Sequence, residues 1–189
     1  IPMSHFSPKD EFNDGENVNF SDNAHMDDLL AARLSRRLAL QGGIAISLER
    51  MNRILEISGE DLVARVEPGV ITETLQKYAE EKGLYYPVDF ASRGSSHIGG
   101  NVATNAGGNR VIRYGMAREM VLGIEVVLPD GTIVTSLNKM LKNNAGYDLK
   151  QLFIGSEGTL GIITAAVLKL FPLPAQRTLA WVDKRDVTR

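Results

Sequence analysis

Hydrophobic spacing divides the chain into a weakly apolar opening and a longer stretch patterned for a core. Over residues 27–41, Leu30, Leu34 and Leu38 recur on one stripe, Asp27 and Asp28 stand at the positive end, and Arg33, Arg36 and Arg37 favour the other. This predicts a packed amphipathic helix, stopped by Gly42 and Gly43. Residues 44–48 alternate with period two and predict a strand. Met51, Ile54, Leu55 and Ile57 lead through a short turn into a second strand over residues 62–66, ended by Pro68 and Gly69. Thr72 is the expected cap of a helix on which Leu75, Tyr78 and Ala79 share a face, with Gly83 at its stop position.

Further along, residues 121–128 are rich in β-branched side chains. Pro129, Asp130 and Gly131 supply turn chemistry, and residues 132–135 return antiparallel, so a hairpin is predicted. Asp148 and Gln151 read as a capping-box pair for a short helix that uses Leu149, Leu152 and Phe153. Glycines at 155, 158 and 161 precede a strand over residues 162–170, Pro172 and Pro174 close the domain, and residues 178–182 look like the first strand of another. Hairpins mixed with helices, without a regular parallel βαβ series, indicate an α+β fold.

Composition narrows the function classes. The chain has 189 residues, 43% of them hydrophobic, and a formal net charge of −2, so one globular domain with a real core is affordable. With no basic patch interleaved with aromatics, nucleic-acid binding is not expected. The absence of cysteine removes disulfides, thiolate catalysis and Cys-ligated metal, and fits a reducing, cytoplasmic setting. No apolar run approaches the ~18 residues of a membrane span, and the N-terminus lacks a secretory pattern. Residues 1–27 set Asp10, Glu11, Asp14, Glu16, Asp22 and Asp27 against Lys9 with few aliphatics, and are expected to be a mobile acidic lead-in. His5 and His25 lack metal-ligand spacing. A chain that starts at Ile1 is expected to be a fragment.

The candidate chemistry centres on residues 95–109. Two pairs, Gly99-Gly100 and Gly107-Gly108, bracket small residues and the polar side chains of Asn101, Thr104 and Asn105. Such a stretch is expected to be a loop whose exposed backbone N–H groups converge on an anion. Residues 87–100 carry no helix-strength pattern, and a long loop of low charge in a compact domain points to function. Neither the dinucleotide fingerprint nor the P-loop spacing is present, which argues against a Rossmann site. A triad of Ser96, His97 and Asp89 or Asp148 lacks a nucleophile-elbow setting, so His97 reads as a loop histidine near the ligand. Glu157, between Gly155 and Gly158, reads either as a general base or as a turn cap.

The blocks Pro87-Val88-Asp89, Ala91-Ser92, Gly94-Ser95, Ile98-Gly99-Gly100-Asn101, Ala103-Thr104-Asn105-Ala106-Gly107-Gly108 and Arg113-Tyr114-Gly115 stand in a telling order. Residues 47–52, 143–149 and 153–164 add three more blocks. Together, over residues 44–182, they resemble the FAD-binding, PCMH-type domain of the vanillyl-alcohol oxidase and p-cresol methylhydroxylase flavoproteins. The resemblance is strongest to the branch of D-lactate, glycolate and D-2-hydroxyglutarate dehydrogenases.

That resemblance implies an α+β domain, with a mixed or antiparallel sheet and flanking helices, holding an extended FAD. Pro87 and Asp89 would open the binding loop. Ser96, His97, Ile98, Gly99, Gly100, Asn101, Thr104, Asn105, Gly107 and Gly108 would contact the pyrophosphate and flavin side, with Tyr114, Gly158, Ile162 and Ile163 also beside the cofactor. A glycine-rich phosphate loop usual in the family before residue 44 is not matched here. The expected organisation is therefore an unmatched lead-in and helix over 1–43, a partial FAD-binding domain over 44–175, and the start of a missing substrate domain over 176–189. The parent would be an FAD-linked oxidoreductase acting on the CH–OH group of a small 2-hydroxy acid and delivering electrons to a protein or quinone acceptor. Alone, the chain is expected to be inactive; the alternative is a non-catalytic module completed by a partner chain. No metal and no catalytic residue are assigned.

Overall fold

A computed structural model describes residues 46–140, 144, 146–176 and 178. The expected acidic lead-in, the helix over 27–41, residues 44 and 45, and residues 179–182 lie outside them. In chain order the elements are β1 (Ile54–Ser58), β2 (Val63–Val66), α1 (Thr72–Glu81), β3 (Leu84–Tyr85), α2 (Ile98–Ala103), α3 (Val111–Tyr114) and α4 (Ala117–Met120). They continue with β4 (Val121–Val127), β5 (Ile133–Ser136), α5 (Lys150–Phe153), β6 (Ile162–Lys169) and β7 (Phe171–Pro172).

Five strands form one sheet in the order β1-β2-β6-β4-β5, and β3 pairs with β7 in a small second sheet. Every pairing is antiparallel. β6 lies at the centre, which is why it reads as a nearly unbroken apolar run. On one face Ala64, Val66, Ile124, Val126, Ala166 and Leu168 meet Leu75 and Ala79 of α1, Ile98 and Val102 of α2, and the fully buried Tyr86. Burial pushes the Tyr86 phenol well above its ordinary range.

The opposite face is closed by the chain leaving β5. Leu137 packs on Val63, Leu122 and Val167. Lys139 then reaches β1 at the far edge, where Nζ donates to Glu56 at 2.5 Å and to Asp61 at 3.0 Å. Gly123 lies directly beneath this strap, where a Cβ would stand 2.3 Å from the Ser136 carbonyl oxygen. Only glycine permits so close a crossing.

The structure moves several expected elements. Residues 46–48 form no strand; the first strand among the described residues is β1, in the stretch expected to be a connection. The reason is the tight corner at Gly69, where the Leu48 and Met51 carbonyls would be 2.2 and 2.7 Å from a Cβ and the Gly69 amide donates to Met51 O at 2.7 Å. Arg53 and the buried Glu67 carboxylate clamp the same corner at 2.7 Å. Thr72 does not cap α1: it is the first helical residue, and Ile71 occupies the cap position without a side-chain bond. Tyr78 is 51% exposed, so Leu75 and Ala79, joined by Thr72, form the buried face. Asp148 accepts from the Gln151 amide at 3.0 Å and from the Lys150 ammonium, but Leu149 holds the cap position of α5. Finally, the centre of the glycine-rich stretch is not a loop but helix α2.

Candidate functional site

α2 is helical against its glycine content because it is pinned at both ends of one face. Ile98 and Val102, four residues apart, are fully buried in the core. Gly99 presses on Pro68, where a Cβ would lie 2.5 Å from the proline Cβ. The Ile98 and Gly99 amides donate to the Val70 and Pro68 carbonyls at 2.9 and 2.8 Å. The opposite face carries exposed Gly100 and Thr104. The Thr104 hydroxyl folds back on the Gly100 carbonyl at 2.9 Å.

Asn101 points inward. It is 5% exposed, and its Nδ2 donates to Thr72 Oγ1 at 2.6 Å; Thr72 in turn shares a 2.8 Å bond with Ser96 Oγ. His97 is extended, and bridges to Ile71. The buried amide and two hydroxyls therefore fix where α2 begins relative to α1.

The segment leading to α2 is held by charge. The Asp89 carboxylate takes Arg93 Nη1 at 2.6 Å and Arg110 Nη2 at 3.4 Å. The hydrogen bond and charge of Asp89 raise the Arg93 pKa above its already high value. The Asp89 carbonyl accepts from the Asn109 amide at 2.9 Å and would lie 2.3 Å from a Cβ on Gly108. Pro87 and Val88 are buried behind it, with Gln76 donating to the Val88 carbonyl at 2.9 Å. Asp89 thus positions the second glycine pair from the inside.

A second turn docks on α2. The Gly155 and Glu157 amides donate to the Val102 and Ala103 carbonyls at 3.1 and 2.9 Å. Glu157 is left-handed at φ 52°, as is Gly158 at 76°. Beyond it Gly161 fits only because a Cβ there would meet Val126 Cγ1 at 2.6 Å, and Ile162 and Ile163 continue into β6 opposite Val127 and Val126.

The surface so made offers donors to an anionic cofactor. A Cβ on Gly100 would meet nothing within 4 Å, so the protein itself does not require glycine there. Among the described residues no acceptor takes the amides of Gly100, Gly107 or Gly108. Unmatched backbone donors beside exposed glycine fit the pyrophosphate of a dinucleotide. The structure thus brings Gly100, Thr104 and Asn105 onto one wall with the Gly158 turn. Pro87, Ile98, Gly99, Asn101 and Ile163 lie buried behind it. Tyr114 lies apart, stacked edge-on with Tyr85 and Phe171 beside a cleft of about 560 Å³ that Asn109, Arg110 and Arg113 also line.

Sequence reading missed Thr72 as a buried hub and gave no role to Arg93, Arg110 or Arg118. The partners of Thr72, Arg110 and Arg118 are remote in sequence, and Arg93 meets Asp89 four residues away in a segment that carries no helical pattern. Among the described residues no cluster of His, Asp and Glu could hold a metal, and no helix is long and apolar enough to cross a membrane.

Comparison with known proteins identifies the family. Residues 32–136 match the family described as FAD binding domain, so the matched span begins ahead of residue 44. The chain is 52% identical over 141 residues to the D-2-hydroxyglutarate dehydrogenase of Stutzerimonas stutzeri (strain A1501), covering 75% of this chain and 30% of that protein. To the glycolate oxidase subunit GlcD of Bacillus subtilis (strain 168) it is 51% identical over 134 residues, covering 71% of this chain and 28% of that one. A solved alkyldihydroxyacetonephosphate synthase superposes with a TM-score of 0.60 at 32% identity, over 68% of this chain and 23% of its own. The chain spans less than a third of the length of these relatives. Its matched residues and its antiparallel α+β architecture place this chain in the FAD-binding, PCMH-type domain family, with FAD as its cofactor.

Proposed function

We propose that this chain is the FAD-holding portion of a dehydrogenase that oxidises a small D-2-hydroxy acid such as D-2-hydroxyglutarate, glycolate or D-lactate. The observation that carries the cofactor half of the reading is the set of unclaimed amides at Gly100, Gly107 and Gly108 on a wall completed by the Gly158 turn. The substrate half is supported by two relatives above 50% identity that carry the names D-2-hydroxyglutarate dehydrogenase and glycolate oxidase subunit. Bound FAD supplies an acceptor for the hydride that leaves the substrate carbon. The protein's part is to hold and orient: glycine amides for the pyrophosphate, Thr104 and Asn105 at the rim, and the Asp89–Arg93–Arg110 cluster keeping the second glycine pair in place. The hydroxy acid, the base that takes its hydroxyl proton, and a protein or quinone electron acceptor are assigned to parts beyond the described residues.

The alternative is a truncated, non-catalytic module that needs a partner chain for FAD binding or turnover. Anaerobic mixing of the FAD-loaded protein with each hydroxy acid separates the two. Bleaching of the flavin absorbance by a D-2-hydroxy acid, and not by its L enantiomer, is the expected result for the dehydrogenase. An unbleached flavin with all three acids leaves the module reading standing instead.

A further inference from the structure

Arg118, on α4, joins both glycine segments at once. Its backbone amide donates to Asn105 Oδ1 at 3.0 Å, holding a residue whose left-handed φ of 50° is unusual for a non-glycine. Its guanidinium reaches the end of α5: Nη1 donates to the Gln151 carbonyl at 2.9 Å and to Gln151 Oε1 at 2.6 Å, and Nη2 donates to the Ile154 carbonyl at 2.5 Å. Ile154 immediately precedes Gly155, which turns at φ 83° and whose Cβ position lies 3.3 Å from Nη2. The turn that follows sends its Gly155 and Glu157 amides to α2. No carboxylate among the described residues pairs with Arg118. The forked cation is used to gather carbonyls, a task that the planar five-donor group performs and an ammonium does not.

We infer that Arg118 is a positioning residue for the cofactor, setting the Gly155–Glu157–Gly158 turn against the α2 and Asn105 segment so that the two halves of the FAD wall stand at their working distance. The inference rests on the FAD reading of that wall, but its structural half is measurable without FAD. Losing three charge-assisted hydrogen bonds from a wall that must meet a rigid ligand corresponds to a loss of about tenfold to a hundredfold in affinity.

The experiment uses the full chain as wild type, Arg118→Met and Arg118→Lys. Amide hydrogen exchange without FAD reports the tie, and flavin fluorescence titration reports affinity. In Arg118→Met the Gly155 and Glu157 amides should exchange faster while those of β4 and β6 keep their protection, and FAD affinity should fall at least about tenfold. Arg118→Lys, which keeps the charge and loses the fork, should recover only part of that affinity. Unchanged exchange at Gly155 and Glu157 overturns the tie. Faster exchange with unchanged FAD affinity overturns its role toward the cofactor. Loss of protection throughout β4 and β6 makes Arg118 a general fold residue and overturns the inference. A wild-type chain that takes up no FAD overturns the reading of the wall, and the cofactor role with it, while the exchange result still decides the tie.

Discussion

Asn101 shows how far a residue's identity can be separated from its role. An amide between two glycine pairs suggests a ligand contact, yet the side chain is buried and donates to Thr72, 29 residues earlier in sequence. Thr72, which looks like a cap, is the acceptor. Both residue types were legible as hydrogen-bonding groups. Their partners were not, because nothing local to either position encodes a contact across that separation. Removing the Asn101 amide takes a donor from the buried Thr72 hydroxyl, so Asn101→Ala should lower stability by about 1–3 kcal/mol, whereas Thr104→Ala on the exposed face should change it by less than about 0.5 kcal/mol. Urea unfolding of the two variants checks this; equal losses would mean that the Asn101–Thr72 bond adds nothing beyond local helix formation.

At the scale of elements, the β4–β5 hairpin was readable because its turn chemistry is local: the Thr132 amide donates to Asp130 Oδ1 at 2.9 Å, and Gly131 turns at φ 85°. The edge strand β1 was not readable, since its half-buried residues do not alternate clearly and its register comes from β2. α2 was hidden by its own glycines, whose low helix propensity is overridden by the burial of Ile98 and Val102. The strap from β5 to β1 had no signal beyond Gly123, a single glycine in an apolar strand. That glycine now has a physical requirement. Gly123→Ala places a methyl 2.3 Å from a backbone carbonyl that cannot move without lifting the strap. It should destabilise the protein by about 1–3 kcal/mol, read as a lower midpoint in denaturant. An unaltered midpoint would show that the strap is not seated on the sheet.

Across the whole molecule, the glycine pattern raised the expectation of a ligand wall around residues 95–109. The structure adds how the wall is made: α2 pinned on the core, the second glycine pair set by Asp89, and a third segment docked through Arg118. Glycines at 99, 108 and 161 are explained by contacts inside the protein, each with a backbone or core side chain where a Cβ would go. Gly100 is not, and it is the position at which cofactor and fold can be tested separately. A Cβ there meets no atom within 4 Å beyond its own helix turn, and valine replaces a residue of poorer helix propensity, so the unliganded fold should be retained. The same side chain stands beside the open Gly100 amide. The decisive measurement is therefore an FAD titration of wild type and Gly100→Val, followed by flavin fluorescence, with far-ultraviolet circular dichroism matched between them. The account predicts saturable uptake by wild type and none by an equally folded Gly100→Val; equal uptake by both would contradict it and move the pyrophosphate away from α2.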